Sequence, residues 1–279
     1  MLILTLGEIS KKTALRLKET GIENPLLDSD IIITSVLDIE RYKLVSDRDR
    51  VLTEDQIKAI EKCVLRRLKF EPVAYITGVK EFYSIEFEVN KDVLIPRPET
   101  ELLVDMAIYW GGNGARVLDL CTGSGAIAVV LKHSRPDLDV YASDLSEKAL
   151  KLAKKNAAEI LGSKKINFVH GDLFIPFKGE KFNLIVSNPP YVDADLQGKL
   201  QKEIDFEPAM ALFAGNKGTD IIKKIIEDSV DHLEDKGVLL LEIGSDQHDF
   251  VHAVGEKCGF TVSILNDYAG FPRVATLKK

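Results

Sequence analysis

The chain has 279 residues, 45% hydrophobic content and a formal net charge of −7, which suits one large or two modest globular domains. The acidic balance argues against a protein that wraps duplex DNA, because such binding draws on clustered Lys and Arg. Cys63, Cys121 and Cys258 are sparse, far apart and match no zinc spacing, as expected of a protein from a reducing cytoplasm. The apolar start, Met1 to Leu6, is short, lacks a basic beginning and runs into Glu8, so it does not read as a signal peptide. No apolar run approaches the roughly 20 residues needed to span a bilayer.

Residues 1–70 read as a helical domain with a recognition or docking role. Leu6 to Thr20 carries Ile9, Ala14, Leu15 and Leu17 at helical spacing and stops at Gly21. Asn24-Pro25 reads as an N-cap followed by proline at N1 and opens an apolar segment ending at Leu37. Thr53 with Gln56 three residues on is a capping box. The helix it opens carries Ile57, Ile60, Val64 and Leu68 on one stripe. Lys62, Arg66, Arg67 and Lys69 could form a basic patch, but read as the solvated face of that helix. Residues 71–95 form a linker. In it Phe82 to Val89 alternates with period two, as a half-buried strand of a β-hairpin does. Pro98, near N1, and the acids after it then open a helix from Leu102 to Trp110.

Across 96–279 strands and helices alternate. Strands are expected at Arg116–Leu120, Asp139–Ser143, Ile166–His170, Phe182–Ser187, Val238–Ile243, Thr261–Leu265 and Arg273–Leu277. Helices are expected at Gly125–Lys132, Glu147–Leu161, Thr219–Leu233 and Gln247–Cys258. This predicts an α/β domain around a seven-stranded, mostly parallel sheet covered on both faces. The connection from Asn266 to Pro272 is too short for a parallel crossover, so the last strand should be antiparallel.

Two features carry chemistry. Asp119-Leu120-Cys121-Thr122-Gly123-Ser124-Gly125 is a strand end, a tight glycine turn and a helix start, a place where backbone N–H groups meet a ligand. Asp144 ends the next strand, at the distance of an acid that grips ribose hydroxyls. The pattern is Asp-x-x-x-Gly-x-Gly, and acids at both ends suit a ligand with hydroxyls and a positive charge better than a pyrophosphate. It resembles the class I S-adenosylmethionine-dependent methyltransferases. That resemblance implies a Rossmann-like sheet, with the loop of Asp119, Cys121, Thr122, Gly123, Ser124 and Gly125 under the methionine part of the cofactor. It also implies Asp144 on the ribose and Asp172 and Leu173 bordering adenine. The second feature is the corner Ser187-Asn188-Pro189-Pro190-Tyr191 after the fourth strand. Its prolines fix φ and remove two donors, and Pro189 pushes Asn188 out of the helical region. A strand-to-loop turn explains these residues taken alone. Following the glycine turn, Asp144 and Asp172 in strand order, they read as a site.

Within that superfamily, Asn-Pro-Pro-Tyr is similar to the signature of enzymes that methylate a planar nitrogen conjugated to a π-system. The Asn188 side-chain oxygen and the Pro189 carbonyl would accept the two N–H bonds of the acceptor, and Tyr191 would stack on it. Asn188, Pro189 and Tyr191 are therefore the expected catalytic residues, and Pro190 completes the substrate contact. Asn188 would also border the cofactor. No metal is implied. Pro72 to Gly78, Glu81 to Tyr83, Ile95-Pro96-Arg97-Pro98-Glu99-Thr100-Glu101 and Glu207 to Leu212 closely resemble the HemK/PrmC family. The resemblance implies methylation of the glutamine amide in the Gly-Gly-Gln motif of peptide chain release factors, with Arg97 near the cofactor carboxylate. It further implies a cytoplasmic monomer with no direct need of nucleic acid or membrane. Three alternatives stay open: a ribosomal-protein glutamine methyltransferase, a DNA adenine-N6 methyltransferase, and a cofactor-binding regulatory protein without activity. Glu203 and Asp205 could assist proton removal but suit a solvated loop. His248 and His252, four apart on a helix, lack a third ligand and read as surface residues.

Overall fold

A computed structural model describes residues 4–279. Met1, Leu2 and Ile3, the first half of the apolar start, lie outside the described residues. The chain forms two compact units. One runs through Val79 and takes in Gln201–Phe206; the other comprises Lys80–Leu200 and Glu207–Lys279. The division at 70 and 95 expected from sequence groups the chain differently, and it gives no hint that six residues from far downstream join the first unit.

The first unit is helical: α1 (Leu6–Glu19), α2 (Pro25–Leu37), α3 (Lys43–Ser46), α4 (Glu54–Arg67) and α5 (Val73–Thr77). Thr53 and Gln56 form the expected capping box, and Thr5 with Glu8 forms a second one at α1. Asn24 makes no side-chain cap, so α2 starts on Pro25 alone. Leu6, Ile9, Ile32, Ile33, Ile60 and Val64 make the core of this unit. The expected solvated basic face is wrong at Arg67. Its side chain is buried, its Nε donates to Asp28 at 2.6 Å and its Nη2 donates to Glu203 at 2.9 Å. A charge taken out of water needs such partners. Glu203 therefore serves in the helical unit.

Strands β1 (Val79–Phe82) and β2 (Ile85–Glu88) make a separate two-stranded hairpin. Phe82 to Val89 is thus not one strand. Tyr83 and Ser84 both take positive φ and turn the chain, as a two-residue hairpin loop with the right twist requires. The turn is held from α6 (Thr100–Trp110): Glu101 accepts from the Tyr83 N–H at 2.8 Å, and Asp105 from its hydroxyl at 2.9 Å. Pro98 lies two residues before this helix rather than at N1.

From there the alternation holds: β3 (Arg116–Leu120), α7 (Ala126–Ser134), β4 (Asp139–Asp144), α8 (Glu147–Leu161), β5 (Asn167–His170), β6 (Phe182–Ser187), α9 (Asp220–His232), β7 (Leu233–Glu242), α10 (His248–Lys257), β8 (Thr261–Asn266) and β9 (Pro272–Lys278). The seven strands lie in the order β5-β4-β3-β6-β7-β9-β8. Only β9 runs against its neighbours, pairing antiparallel with both β7 and β8, as its short connection demanded. Alternate strand residues face opposite layers. Val117, Val140, Leu184 and Leu240 pack with α6, α7 and α8. Leu118, Leu120, Ile185 and Leu239 pack with α9 and α10. Each such fully buried side chain contributes about 1.5–3 kcal/mol. The order reverses between β3 and β6, and at such a switch point the loops part beyond the strand ends and leave a crevice.

Candidate active site

A cavity of about 200 Å³ opens at that switch point. Its wall comes from the carboxyl ends of four parallel strands. Cys121 and Gly123 follow β3; Ser143 to Ser146 end and follow β4; Gly171, Asp172 and Leu173 follow β5; Asn188 and Pro190 follow β6. Asp92, Val93 and Leu94 before α6, Pro208, Met210 and Ala211, and Ile221 and Lys224 of α9 complete it. Of the residues expected at the cofactor, Cys121, Gly123, Asp144, Asp172, Leu173 and Asn188 are brought together here. Asp119, Thr122, Ser124, Gly125 and Arg97 are not among the lining residues, nor are Pro189 and Tyr191.

The glycine turn explains part of this. Asp119 lies fully buried beneath the loop. Its Oδ2 accepts from the Thr122 hydroxyl at 2.6 Å and from the Ala128 N–H at 3.2 Å, while Oδ1 has no partner. Burial pushes its pKa up to about 7, against the pull of those two donors. Asp119 and Thr122 shape the turn from below. Gly125 has φ +83°, and a Cβ there would sit 3.0 Å from that of Ala153, so it lets α7 and α8 pack closely. Ser124 gives its carbonyl to Asn156 Nδ2 at 2.9 Å. The buried Asn156 also bonds the Glu88 N–H and carbonyl, which fastens the hairpin to the loop. Cys121 holds φ +60°, unusual for a residue with a side chain. Burial, with Asp144 nearby, pushes its thiol pKa well above the usual range.

Asp144 accepts from the Gly123 N–H at 2.9 Å through one oxygen and from the Ser146 N–H at 2.8 Å through the other. Burial raises its pKa while those donors pull it down. Each oxygen keeps a further lone pair, the acceptor set that vicinal hydroxyls require. Asp172 is paired with Lys224 at 3.0 Å. Arg97 turns to Glu207, whose other oxygen accepts from the Ile95 N–H at 3.1 Å. Arg97 thereby ties Glu207, the residue before the rim residue Pro208, to the stretch before α6.

At the corner, Ser187 donates to the Leu120 carbonyl at 2.8 Å and ties β6 to β3. Asn188 Nδ2 donates to Thr100 Oγ1 at 3.1 Å. Its Oδ1 accepts no hydrogen bond found among the described residues and is not a buried orphan, and Asn188 lines the cavity. The Tyr191 hydroxyl donates to Glu242 Oε1 at 3.1 Å, and its ring packs against the core on the α9 side. Burial, then the Glu242 charge, pushes the Tyr191 pKa far up. The expected stacking role of Tyr191 is thus overlaid by an anchoring one. Gln247 Nε2 donates to the Tyr191 carbonyl at 2.9 Å. Thr100, Glu242, Gln247, Asn156 and Lys224 were not singled out from sequence. Each lies far along the chain from its partner, and a lone polar residue outside any motif reads as solvated. His248 and His252 are half-exposed beside Asp249 and Glu256 of their own helix. Among the described residues no group of three or more His, Cys, Asp or Glu is placed to hold a metal ion, and no helix is long and apolar enough to cross a membrane.

Comparison with known proteins decides the family. Residues 8–78 match the PrmC N-terminal domain, and residues 99–249 match the methyltransferase small domain. The release factor glutamine methyltransferase of Thermodesulfovibrio yellowstonii is 41% identical over 254 residues, covering 89% of this chain and 90% of that protein. The chain belongs to the release factor glutamine methyltransferase family. The family members of Leptospira interrogans and Neisseria gonorrhoeae are 43% and 40% identical, covering 84% and 90% of this chain and 83% and 92% of theirs. Among solved structures, the hMettl16 catalytic domain superposes with a TM-score of 0.57 at 15% identity, covering 84% of each chain. A Pyrococcus furiosus methyltransferase gives 0.54 at 19% identity, covering 71% of this chain and 90% of that one. These two establish the class I methyltransferase fold.

Proposed function

We propose that the protein transfers a methyl group from S-adenosylmethionine to the side-chain amide nitrogen of the glutamine in the Gly-Gly-Gln motif of peptide chain release factors. The observation that carries this reading is the placement of Asn188 on the wall of the switch-point cavity, its Oδ1 free and its Nδ2 engaged. The cavity suits the cofactor. A side chain at Gly123 would meet nothing within 4 Å, which leaves the loop's upper surface open to a ligand. Asp144 would hold the ribose hydroxyls and Leu173 would cover the base; with Asp172 balanced by Lys224, Asp144 gives the wall a negative character that favours a cation. The bound cofactor supplies an electrophilic methyl on a positively charged sulfur.

The rest is positioning by this chain. An amide nitrogen is a weak nucleophile because its lone pair is delocalised into the carbonyl. Asn188 Oδ1 and the Pro189 carbonyl would accept its two N–H bonds, turning the lone pair toward the methyl and stabilising the charge that develops on nitrogen. Holding the two reactants in line supplies the entropic part of the rate. As the N–C bond forms the S–C bond would break, the sulfur leaving as the neutral thioether of S-adenosylhomocysteine, and the extra proton on the methylated amide nitrogen would then pass to water. The three unpaired cysteines suit a cytoplasmic enzyme.

The test uses labelled cofactor with a release factor, its glutamine-to-alanine form, a ribosomal-protein extract and unmethylated duplex DNA. Label in the intact release factor alone is the expected result. Label in DNA or in a ribosomal protein instead refutes the assignment.

A further inference from the structure

We infer that Thr100 and Glu242 form a positioning pair that fixes which end of the Asn188 amide faces the acceptor. The inference rests on the reading of Asn188 as the residue that accepts from the substrate nitrogen. Thr100 Oγ1 lies 2.6 Å from Glu242 Oε2 and 3.1 Å from the Asn188 amide. Glu242 is buried and has a hydroxyl on each oxygen, Thr100 on Oε2 and Tyr191 on Oε1. A carboxylate only accepts. With Glu242 ionised, the single proton of Thr100 is committed to it, in a short charge-assisted bond. What Thr100 has left is a lone pair, and only the N–H end of an amide can use it. Nδ2 is drawn to Thr100, and Oδ1 is turned into the cavity.

An asparagine amide is close to symmetric in shape, so packing alone does not choose between its two ends. Flipped, it would present N–H to the N–H bonds of the acceptor, and the site would repel the group it must hold. The three residues come from α6, the end of β6 and the end of β7, and the sheet alone brings them together. Burial raises the pKa of Glu242, against the pull of the Thr100 and Tyr191 hydroxyls and the Arg273 charge, so the Thr100 proton is held by Glu242 above that raised value and released from it as the pH falls.

The test compares Thr100→Val, Thr100→Ser, Glu242→Gln and Asn188→Ala, with kcat and KM for a release factor, cofactor affinity by calorimetry and melting temperature. Val matches Thr in shape but has no lone pair. Gln matches Glu in shape but has one acceptor oxygen for two hydroxyls, so either Thr100 or Tyr191 loses its acceptor. Thr100→Val and Glu242→Gln should each lower kcat about 30- to 100-fold, the lower part of the range for losing a preorganised transition-state contact. Cofactor affinity should stay close to wild type, while melting temperature should fall in Thr100→Val, which leaves a buried oxygen of Glu242 without its donor. Thr100→Ser keeps the hydroxyl and should restore kcat to within about threefold of wild type. In the Asn188→Ala background Thr100→Val should cost nothing further, since the orientation it sets no longer exists.

Equal costs of Thr100→Val with and without Asn188 overturn the inference, as do a Thr100→Ser variant as slow as Thr100→Val and a rate loss matched by lost cofactor affinity. If Glu242→Gln does not fold, the Thr100 pair and the Asn188 background decide alone. An Asn188→Ala enzyme of wild-type rate refutes the functional reading itself. A slow Asn188→Ala enzyme beside a fast Thr100→Val enzyme refutes only the positioning pair.

Discussion

Gly218 sits against the acceptor corner with no room for a side chain. A Cβ there would lie 2.6 Å from the Tyr191 carbonyl carbon and 2.9 Å from that of Val192, and closer still to the Tyr191 oxygen. Carbon atoms rest at about 3.5 Å, so Gly218→Ala must push the Tyr191 carbonyl by roughly 0.9 Å. That carbonyl cannot yield freely, because Gln247 holds it at 2.9 Å. Gly218 also has φ +66°, where alanine costs a further ~1–2 kcal/mol. The displacement lands three residues from Asn188, and a misplacement of about 1 Å near the chemistry costs on the order of 100-fold in rate. Gly179 is the matched control: its φ is +83°, but nothing lies within 4 Å of a Cβ there. Both alanine variants should lose stability from the positive φ, measured by urea unfolding. Only Gly218→Ala should lose kcat, by ~100-fold, in a labelled-methyl assay on a release factor at saturating cofactor. If the two variants turn over at the same rate, the corner is not held in place by its contact with Gly218.

Asp119 is neutral in the folded protein below about pH 7 and ionised in the unfolded chain above the usual carboxylate range. Its raised pKa stabilises the fold only in acid, and that stability is lost as pH rises through about 7. Wild type should therefore lose about 2–3 kcal/mol relative to Asp119→Asn between pH 5 and pH 8; a gap in unfolding free energy that does not change with pH contradicts this. Asn156→Ala strands the Glu88 N–H and carbonyl and the Ser124 carbonyl, and should cost ~2–4 kcal/mol, seen as a lower urea midpoint with an unchanged slope. Cys121→Gly relieves a strained φ of +60° and should leave cofactor affinity alone while gaining up to ~1 kcal/mol; weaker cofactor binding measured by calorimetry would mean that the thiol is a contact.

The sheet could be read from the chain because each parallel strand is buried on both faces and so appears as a short apolar run between helices. The antiparallel β9 followed from a connection too short for anything else. The glycine turn, Asp144 and the proline corner were visible because their chemistry is local. The hairpin turn was not. Tyr83 and Ser84 carry no turn signal, and Tyr83, Ile85, Phe87 and Val89 continue an apolar alternation across it. β7 starts at Leu233, five residues before the expected Val238, because Glu234, Asp235 and Lys236 look like a loop and Lys236 does take positive φ. Arg67 looked solvated because its partners, Asp28 and Glu203, are 39 and 136 residues away.

The same distance in sequence hides what holds the corner, and for a physical reason. Two prolines in succession remove two backbone donors, and whatever carbonyls the corner offers a substrate cannot also be spent on the fold. A segment that gives up its own hydrogen bonds has to be held by others. Thr100 from α6 bonds Asn188, Glu242 at the end of β7 bonds Tyr191, and Gln247 before α10 bonds the Tyr191 carbonyl. None of the three is near the corner in the chain, and all three reach it from outside the cavity. The residues that leave the corner free to bind are, by that same fact, the ones that a motif cannot contain.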